Sequence, residues 1–561
     1  MRFNLLDEPW ISVITDSKGT TKEVSLLECL ENAPNYLGLG GDMKTQDFAM
    51  LRLLLAVLHT VFSRFDGEGN PYEFVNLDDR FKPLEEIHSD DEEEYAEALM
   101  ETWKTLWEEK QFPNIVGEYL EKWRDRFYLL HETYPFFQVT EKEVAPNKLN
   151  KSKPSSVSGK NMNRLISESG NKVALFSPKY EGKGNKEILS FPEVARWLLT
   201  FQGYSGLSDK VIFGKEKYKS SKGWIFDLGG VFVEGETLYD TLLLNLVLEH
   251  PEEMYILNEQ KPCWEYEPKE IIERYMKSAT VDNLAELYTN WSRGIFIPPE
   301  TVEEKPFSFD IVKIPDMNHQ DLFLEPMTLW RYNLNGENKD TYTPKKHTPN
   351  QALWRSFGLL MVSYGENKRI PILMKWIQGL EDTVGEYDLT IQAVSMRDDG
   401  NATSWVPVDE ILDSLNINEW ILSDVSKNGW VPRINDMVEL TKSVIEKTFR
   451  KFVMDIKEIR NLSSSEFVNQ KVEEMYFLVD SPFRDWIEGI EPENSKEEKL
   501  QEWKNILRKI VQREAEKMAM EGTSRDYVGI EKRISETRSE YKNIPLSYNS
   551  FLYFLEQELK G

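Results

Sequence analysis

The stretch TQDFAMLRLLLAVLHTVFSRF, residues 45–65, places apolar residues at the spacing of an α-helix. They are Phe48, Leu51, Leu54, Leu55, Leu58, Val61 and Phe62. This spacing predicts a buried helix over Thr45–Phe65. The run is too short to cross a bilayer, and Arg52 and His59 interrupt it, so we interpret it as part of a protein core.

The rest of the composition predicts a folded, multidomain protein. A chain of 561 residues is too long for one compact core, so we expect two or three domains. Its 40% hydrophobic content and 16 tryptophans argue against disorder. Two cysteines, Cys29 and Cys263, cannot form a disulfide framework. The N-terminus lacks the apolar run of a signal peptide, so we expect a soluble, cytoplasmic protein without a membrane partner.

The pattern along the chain changes near Asn418. Before it, a hairpin within residues 3–26, a helix over Tyr119–His131 and a helix over Phe191–Phe201 mix with strand-like runs. After it, amphipathic spacing predicts four helices over about Val431–Arg460, Ser465–Ile490, Ser495–Glu521 and Leu546–Lys560. The charged composition of Gly522–Asn543 predicts a long loop or a fraying helix. The predicted fold is α+β, with a large mixed α/β N-terminal domain (residues 1–405) followed by a C-terminal four-helix bundle (residues 406–561).

The formal net charge of −28 opposes a nucleic-acid partner at long range. Salt screens exposed charges beyond about 8 Å, so local patches matter more than the total. Two basic islands exist, both rich in loop-forming residues. The first contains Lys142, Lys148, Lys151, Lys153, Lys160, Arg164, Lys172, Lys179, Lys183 and Lys186, and the second contains Lys210, Lys215, Lys217, Lys219 and Lys222. They are either solvated loops or nucleic-acid contacts.

No motif for catalysis is found. The six histidines lack the spacing of metal-binding pairs, and neither a phosphate-binding loop nor a Gly-x-Ser-x-Gly elbow is present. We therefore predict no cofactor, no metal site and no catalytic residues. The residues alone indicate an acidic two-domain assembly protein with basic loops.

Several strings resemble, in order, those of the CasA family, the large subunit of the type I-E CRISPR Cascade surveillance complex. The opening Asn4–Val13 (NLLDEPWISV) is one of them. The others are the helix around Asp47–Phe62, Tyr128–His131 with Pro135–Gln138, Ala174–Ser177, Phe201–Leu207, Pro262–Glu265, Glu325–Arg331 and Leu353–Arg355. The resemblance covers most of the chain and implies the same two-part fold.

The resemblance implies a non-catalytic subunit that recognises the PAM, a short motif beside the target in double-stranded DNA. It would help to open the duplex for guide-RNA pairing, so that base pairing reads the sequence and the protein reads only the flank. The implied partners are the other Cascade subunits, the guide RNA, double-stranded target DNA and a helicase–nuclease recruited in trans.

Three elements would contact the PAM. The first resembles Tyr204–Lys210, with Gly206, Ser208 and Lys210, where a glycine lets the backbone approach a groove floor. An ordinary turn after the preceding helix is the alternative. The second is Lys305, before Pro306-Phe307-Ser308-Phe309. It would reach into the groove, or is simply an exposed lysine at the start of a strand.

The third element is a hairpin over Arg397–Ser404, whose Gly400, Asn401 and Ala402 would act as a wedge that holds unstacked bases apart. Asp-Gly is also a common turn dipeptide, and Asp398 and Asp399 are unexpected beside DNA.

A fourth segment, Ala174, Leu175, Phe176 and Ser177, resembles the loop that anchors the subunit to the complex. Phe176 would pack on a neighbouring subunit or in its own core. Two alternatives to DNA recognition stay open: a pure scaffold, and an enzyme with an unrecognised site.

Overall fold

The computed structural model describes residues 2–170, 172–177, 187–207, 211–219, 221–303, 305–385, 387–401, 403–533, 535 and 539–560. The chain divides into two compact units. The first contains residues 1–350, 364–384 and 389–414, and the second contains residues 351–363, 385–388 and 415–561. The mixture of helix and sheet is confirmed, whereas the boundary after residue 405 and the four-helix bundle stay predictions.

The helices are numbered in chain order. They are α1 Leu26–Glu31, α2 Lys44–Phe62, α3 Glu92–Glu109, α4 Ile115–Lys122, α5 Gly159–Asn163, α6 Phe191–Tyr204, α7 Leu238–Leu244, α8 Pro268–Met276, α9 Leu284–Tyr288, α10 Phe357–Met361, α11 Ile372–Gln378, α12 Glu381–Val384, α13 Glu419–Ser423, α14 Trp430–Ser443, α15 Arg450–Ile459, α16 Glu466–Glu488, α17 Lys496–Met520, α18 Ser524–Val528 and α19 Ile544–Lys560.

The strands form small antiparallel sheets. They are β1 Arg2–Asn4, β2 Ile11–Ile14, β3 Thr21–Val24, β4 Gly38–Leu39, β5 Tyr128–Leu130, β6 Ser155–Ser158, β7 Gly230–Glu234, β8 Arg293–Phe296, β9 Ser308–Lys313, β10 Trp330–Tyr332, β11 Tyr342–Pro344, β12 Asp388–Asp398, β13 Pro407–Asn418, β14 Ile530–Arg533 and β15 Ser539–Lys542. The sheet orders are β3-β2-β4, β6-β9-β8 and β13-β12-β7, with the pairs β1-β5, β10-β11 and β14-β15.

Helix α2 lies at the centre of the first unit, as its apolar spacing predicts. It packs against α4, α6, α7 and α9, and from Thr45 to Phe62 all of its residues are buried. Among the described residues it is the one helix long and apolar enough to cross a bilayer, and here it lies wholly inside the protein.

The charged residues of this central segment are paired. Arg52 on α2 forms two 2.8 Å bonds with the carboxylate of Glu325, and Trp224 donates to the same carboxylate at 2.6 Å. Burial alone would raise the pKa of Glu325, but the Arg52 guanidinium and the other donors hold it below its usual range. Arg64, just after α2, forms a similar pair with Glu265. Buried pairs of this kind are tolerated because each guanidinium contacts its carboxylate at two points.

The second unit contains the four long helices that the amphipathic pattern predicts. Helix α14, a π-helical turn over Val444–Phe449 and α15 run on without a break, and the other three are α16, α17 and α19. They pack along α15–α16, α16–α17, α14–α17, α15–α19 and α17–α19. Part of their core is aromatic: Trp354 stacks on Phe483 at 4.3 Å, and Phe483 meets Trp503 edge-on at 4.8 Å.

The prediction of one helix over Tyr119–His131 is wrong. Helix α4 ends at Lys122, a short 3₁₀ turn covers Arg124–Arg126, and Tyr128–Leu130 is strand β5. Strand β5 pairs with β1, which lies more than a hundred residues earlier in the chain. A long-range pairing therefore overrides the local helical pattern.

The segment Gly522–Asn543 is also not the predicted loop or fraying helix. A Thr523 capping box starts the short helix α18, and Gly529, with a φ of +80°, leads into the β14–β15 hairpin. The hairpin's charges are partly paired with α15: Lys542 contacts Asp455 at 2.7 Å and Lys532 contacts Glu458 at 2.8 Å.

The burial of α2 gives a stability prediction. Leu54→Ala removes a fully buried side chain and should lower the free energy of unfolding of the first unit by about 2–5 kcal/mol. Leu84→Ala is the control, since Leu84 is 68% exposed in the same unit, and its effect should stay within about 0.5 kcal/mol. Urea denaturation monitored by tryptophan fluorescence measures both. Equal losses would contradict the central position of α2.

Candidate nucleic-acid interface

The tip between β12 and β13 is a well-defined turn. Gly400 has a φ of +68°, a conformation that favours glycine. The Asn401 carbonyl accepts from the N–H groups of Ser404 and Trp405 at 3.0 and 2.8 Å, and the Asn401 side-chain oxygen accepts from Thr403. The turn leaves Gly400 and Asn401 exposed at its end. Ala402 lies outside the described residues.

The loop after α6 lies directly against this turn. Gly206 is buried, and a Cβ added there would lie 2.1 Å from the Trp405 carbonyl oxygen and 2.6 Å from that of Ser404. Only a glycine allows the two backbones to approach so closely. The structure thus joins two of the elements that the resemblance implies. It explains Gly206 by packing within the chain, which leaves its contact with DNA a prediction. Ser208 and Lys210 lie outside the described residues.

Two acidic residues near the hairpin tip are paired with lysines. Asp398 pairs with Lys346 at 2.9 Å, and Asp399 pairs with Lys172 at 2.7 Å. Desolvation alone would raise the pKa of Asp399, but the Lys172 hydrogen bond and backbone donors hold it below its usual value. The hairpin tip therefore carries less net negative charge than the sequence suggests.

Lysines and an aromatic ring surround the base of the hairpin. Lys222 pairs with Asp227, and its ammonium lies 5.7 Å from the centre of the Trp405 ring. Lys346 lies 3.8 Å from the centre of the Phe226 ring. Trp405 is partly exposed beside the tip. The sequence analysis missed Lys346 and Trp405, because only the folded chain places them at the hairpin.

The two basic islands lie side by side. The Gly214 N–H donates to the Lys148 carbonyl at 2.9 Å, and the Asn150 N–H donates to that of Ile212 at 3.1 Å. Lysines of both islands face solvent on either side of this junction: Lys151, Lys153, Lys215, Lys217 and Lys219. Arg164 is different, since it is buried near Glu187. Lys179, Lys183 and Lys186 lie outside the described residues.

Lys305 is exposed just before β9. Lys313, at the other end of that strand, lies opposite Arg293 of β8 in the sheet. The Arg293 side chain in turn donates to the Gly206 carbonyl. Six strand residues span about 20 Å, so Lys305 lies at the end of β9 opposite to the one that borders the Gly206 loop. The fold therefore separates Lys305 from the loop along this strand, and its role in DNA binding stays a prediction.

The predicted anchoring loop is only partly packed on its own unit. The Leu175 N–H donates to the Arg164 carbonyl at 2.7 Å. The Phe176 ring meets Trp197 edge-on at 6.0 Å but remains 36% exposed, and nearby Val173 is 87% exposed. Ala174 is partly buried and Ser177 is exposed. The loop keeps apolar surface available for a partner.

A cavity of about 430 Å³ between α8, α9 and residues 315–322 bears on the enzyme alternative. Burial raises the pKa of Glu286, one of its lining residues, although Arg274 opposes this shift. Arg274 holds both oxygens of that carboxylate at 2.7 and 2.9 Å, so the carboxylate is engaged in the fold. Across the described ranges no three His, Cys, Asp or Glu side chains group as a metal site requires.

Comparison with known proteins identifies the fold and the family. Residues 4–513 match the family model of the CRISPR-associated protein Cse1. A CasA/Cse1 protein of Thermus thermophilus is 29% identical over 272 residues, which are 48% of this chain and 43% of that protein. The chain thus spans less than half of that relative's length in the match.

Solved structures share the fold over nearly the whole chain. Thermobifida fusca Cse1 superposes with a TM-score of 0.75 at 24% identity, covering 100% of this chain and 98% of that one. A chain of a CRISPR RNA-guided surveillance complex superposes with a TM-score of 0.64 at 13% identity, covering 99% of each. The fold is therefore that of a CRISPR-associated protein. Given the family match over most of its length, the chain belongs to the Cse1 family, also called CasA, which confirms the resemblance.

The close approach of Gly206 to the Trp405 carbonyl predicts that Gly206→Ala destabilises the contact between loop and hairpin. The added methyl group has no space beside Trp405, so the loop or the hairpin must move, at a cost of about 1–3 kcal/mol. Hydrogen–deuterium exchange should become faster in peptides covering residues 398–406. Gly170→Ala is the matched control, because a Cβ there meets no atom within 4 Å. Unchanged exchange in Gly206→Ala would contradict the close approach.

Proposed function

We propose that this chain is the non-catalytic large subunit of a type I-E CRISPR Cascade surveillance complex. In that role it recognises the PAM of double-stranded target DNA, helps to open the duplex for pairing with the guide RNA, and helps to recruit a helicase–nuclease. The family assignment supports this proposal, as does the likeness of its fold to a chain of an RNA-guided surveillance complex.

One observation carries the DNA-recognition part of the proposal: Gly206 and Trp405 bring the loop after α6 against the β12–β13 hairpin. Both segments are elements that the family resemblance assigns to the PAM. They meet although about two hundred residues separate them in sequence. Lysines border the hairpin: Lys346 and Lys172 pair with its Asp398 and Asp399, and Lys222 lies beside the Trp405 ring. These pairs reduce the repulsion between the hairpin aspartates and a phosphate backbone.

We propose that Asn401, at the exposed tip, enters the duplex beside the PAM together with its sequence neighbours Gly400 and Ala402. The ring of Trp405 stacks against the base step that the tip opens. In the same proposal, Lys305, Lys210, Gly206 and Ser208 contact the groove or its phosphates. Residues Ala174–Ser177 anchor the subunit to its neighbours, and α14–α15, α16, α17 and α19 form the proposed four-helix bundle.

The net charge of −28 is compatible with this role, because the subunit does not need to capture DNA alone. Assembly on the ribonucleoprotein supplies a high effective concentration at the target. The exposed lysines then act over short distances, where acidic residues elsewhere on the chain are screened.

DNA binding by the reconstituted complex tests the proposal. The complex is assembled with and without this subunit and is titrated, at fixed salt, with target duplexes that carry a library of flanking sequences. Binding should depend on the flank only when the subunit is present. Lys305→Ala and Asn401→Ala should each weaken binding to the preferred flank by about tenfold, since a good base-edge contact discriminates by about that much.

Lys269→Ala serves as the control, because Lys269 is a mostly exposed lysine on α8 that pairs with Glu273 in its own helix. It should leave flank preference unchanged. If the complex binds DNA equally well with and without the subunit, DNA recognition by the subunit is refuted and a scaffold role is favoured. Flank preference that survives both substitutions would refute the assignment of these two residues.

A further inference from the structure

Arg293, at the start of β8, has a fully buried guanidinium that contacts three separate segments. Its Nε donates to the Glu168 carboxylate, which is buried as well. Its Nη2 donates to the Gly206 carbonyl. Its Nη1 donates to the carbonyls of Ser221 and Ser292 at 2.7 and 2.8 Å.

These three segments are the parts of the chain that border the candidate interface. Glu168 lies within the first basic island, and Ser221 lies at the end of the second. Gly206 is the residue that touches the hairpin. One side chain therefore fixes, at a single point, both basic islands and the loop that supports the hairpin.

Neighbouring contacts hold Arg293 itself in place. The Gln202 side-chain oxygen accepts from the backbone N–H groups of Ser292 and Arg293 at 2.8 and 3.0 Å. The Ser205 and Ser292 hydroxyls lie 2.8 Å apart. The Gly223 N–H donates to the Ser205 carbonyl at 2.8 Å. Because these groups are buried, their geometry is tightly determined.

The chemistry requires arginine at this point. A guanidinium carries five N–H donors in a rigid planar fork, and here they serve a carboxylate and backbone carbonyls in different directions. A lysine ammonium keeps the charge but has one nitrogen, so it cannot reach Glu168, Gly206 and Ser221 at once. The loss of any of these bonds would leave a buried acceptor without its partner.

We infer that Arg293 is a positioning residue for flank recognition: its buried guanidinium sets the placement of the Gly206 loop, and through it the hairpin, relative to both basic islands. The inference rests on the proposed function. Arg293 does not touch DNA in this scheme, since it is fully buried, and it acts through the segments that it holds.

The test compares Arg293→Lys with Arg64→Lys in the reconstituted complex. Arg64 is a matched control: it is buried, it forms a two-point pair with Glu265, and it donates to the carbonyls of Phe81 and Gln260. None of these residues belongs to the candidate interface. Both substitutions should destabilise the first unit, which thermal unfolding measures, so any general loss of stability appears in both variants.

The decisive readout is the ratio of affinities for duplexes with the preferred flank and with a replaced flank. A smaller fraction of folded protein lowers both affinities equally and leaves this ratio unchanged. Arg293→Lys should reduce the ratio by about tenfold, whereas Arg64→Lys should preserve it. Hydrogen–deuterium exchange of the isolated protein should also become faster at residues 205–207 and 221–223 in Arg293→Lys alone.

The outcomes separate the two claims. If the wild-type complex shows no flank preference, the proposed function fails and this inference fails with it. If the wild-type complex shows a preference that Arg293→Lys retains, only the inference about Arg293 is overturned. A loss of the ratio of the same size in Arg64→Lys would also overturn it, because a buried arginine that does not contact the Gly206 loop would then matter as much as Arg293.

Discussion

The close approach of the Gly206 backbone to the Trp405 carbonyl is the constraint on which the candidate interface depends. At 2.1 Å from that oxygen there is no space for a Cβ, so the loop and the hairpin touch backbone to backbone. Arg293 holds the loop from the other side through the Gly206 carbonyl. The hairpin tip can therefore project into solvent while its base rests on a rigid support. A side chain that separates stacked bases needs such a support. If the hairpin itself moved, it could not hold the unstacked bases apart.

The charge distribution follows a similar logic. The formal net charge of −28 opposes DNA as a partner at long range, yet Asp398 and Asp399 at the hairpin tip are each paired with a lysine. Folding also brings the two basic islands together, which places exposed lysines of both on either side of one junction. Overall charge thus says little about a surface of this size, since screening limits each charge to its near surroundings.

Much of the fold could be predicted from local pattern. The apolar spacing of α2 and the amphipathic spacing of the four long C-terminal helices located those elements, because each has enough turns to show its period. Local pattern did not predict the strand pairings. Strand β5 interrupts a helical pattern because it pairs with the distant β1. The β14–β15 hairpin lies where a loop or a fraying helix was predicted. The candidate site was predictable only in part. Resemblance pointed to Gly206 and Asn401, whereas the roles of Arg293, Lys346 and Trp405 arise from contacts between segments far apart in sequence.

Site-specific crosslinking tests the central claim, that the hairpin tip lies at the flank of the target, most directly. Burial raises the pKa of both native thiols, Cys29 and Cys263, to about 12, so neither should react, and Asn401→Cys would supply the reactive thiol. The variant is labelled with a short photocrosslinker and assembled into the complex. It should crosslink to target DNA at the junction between the flank and the sequence that pairs with the guide RNA. Leu84→Cys should give no such product. Crosslinks from Asn401→Cys that fall elsewhere on the DNA, or none above the Leu84→Cys level, would contradict the account.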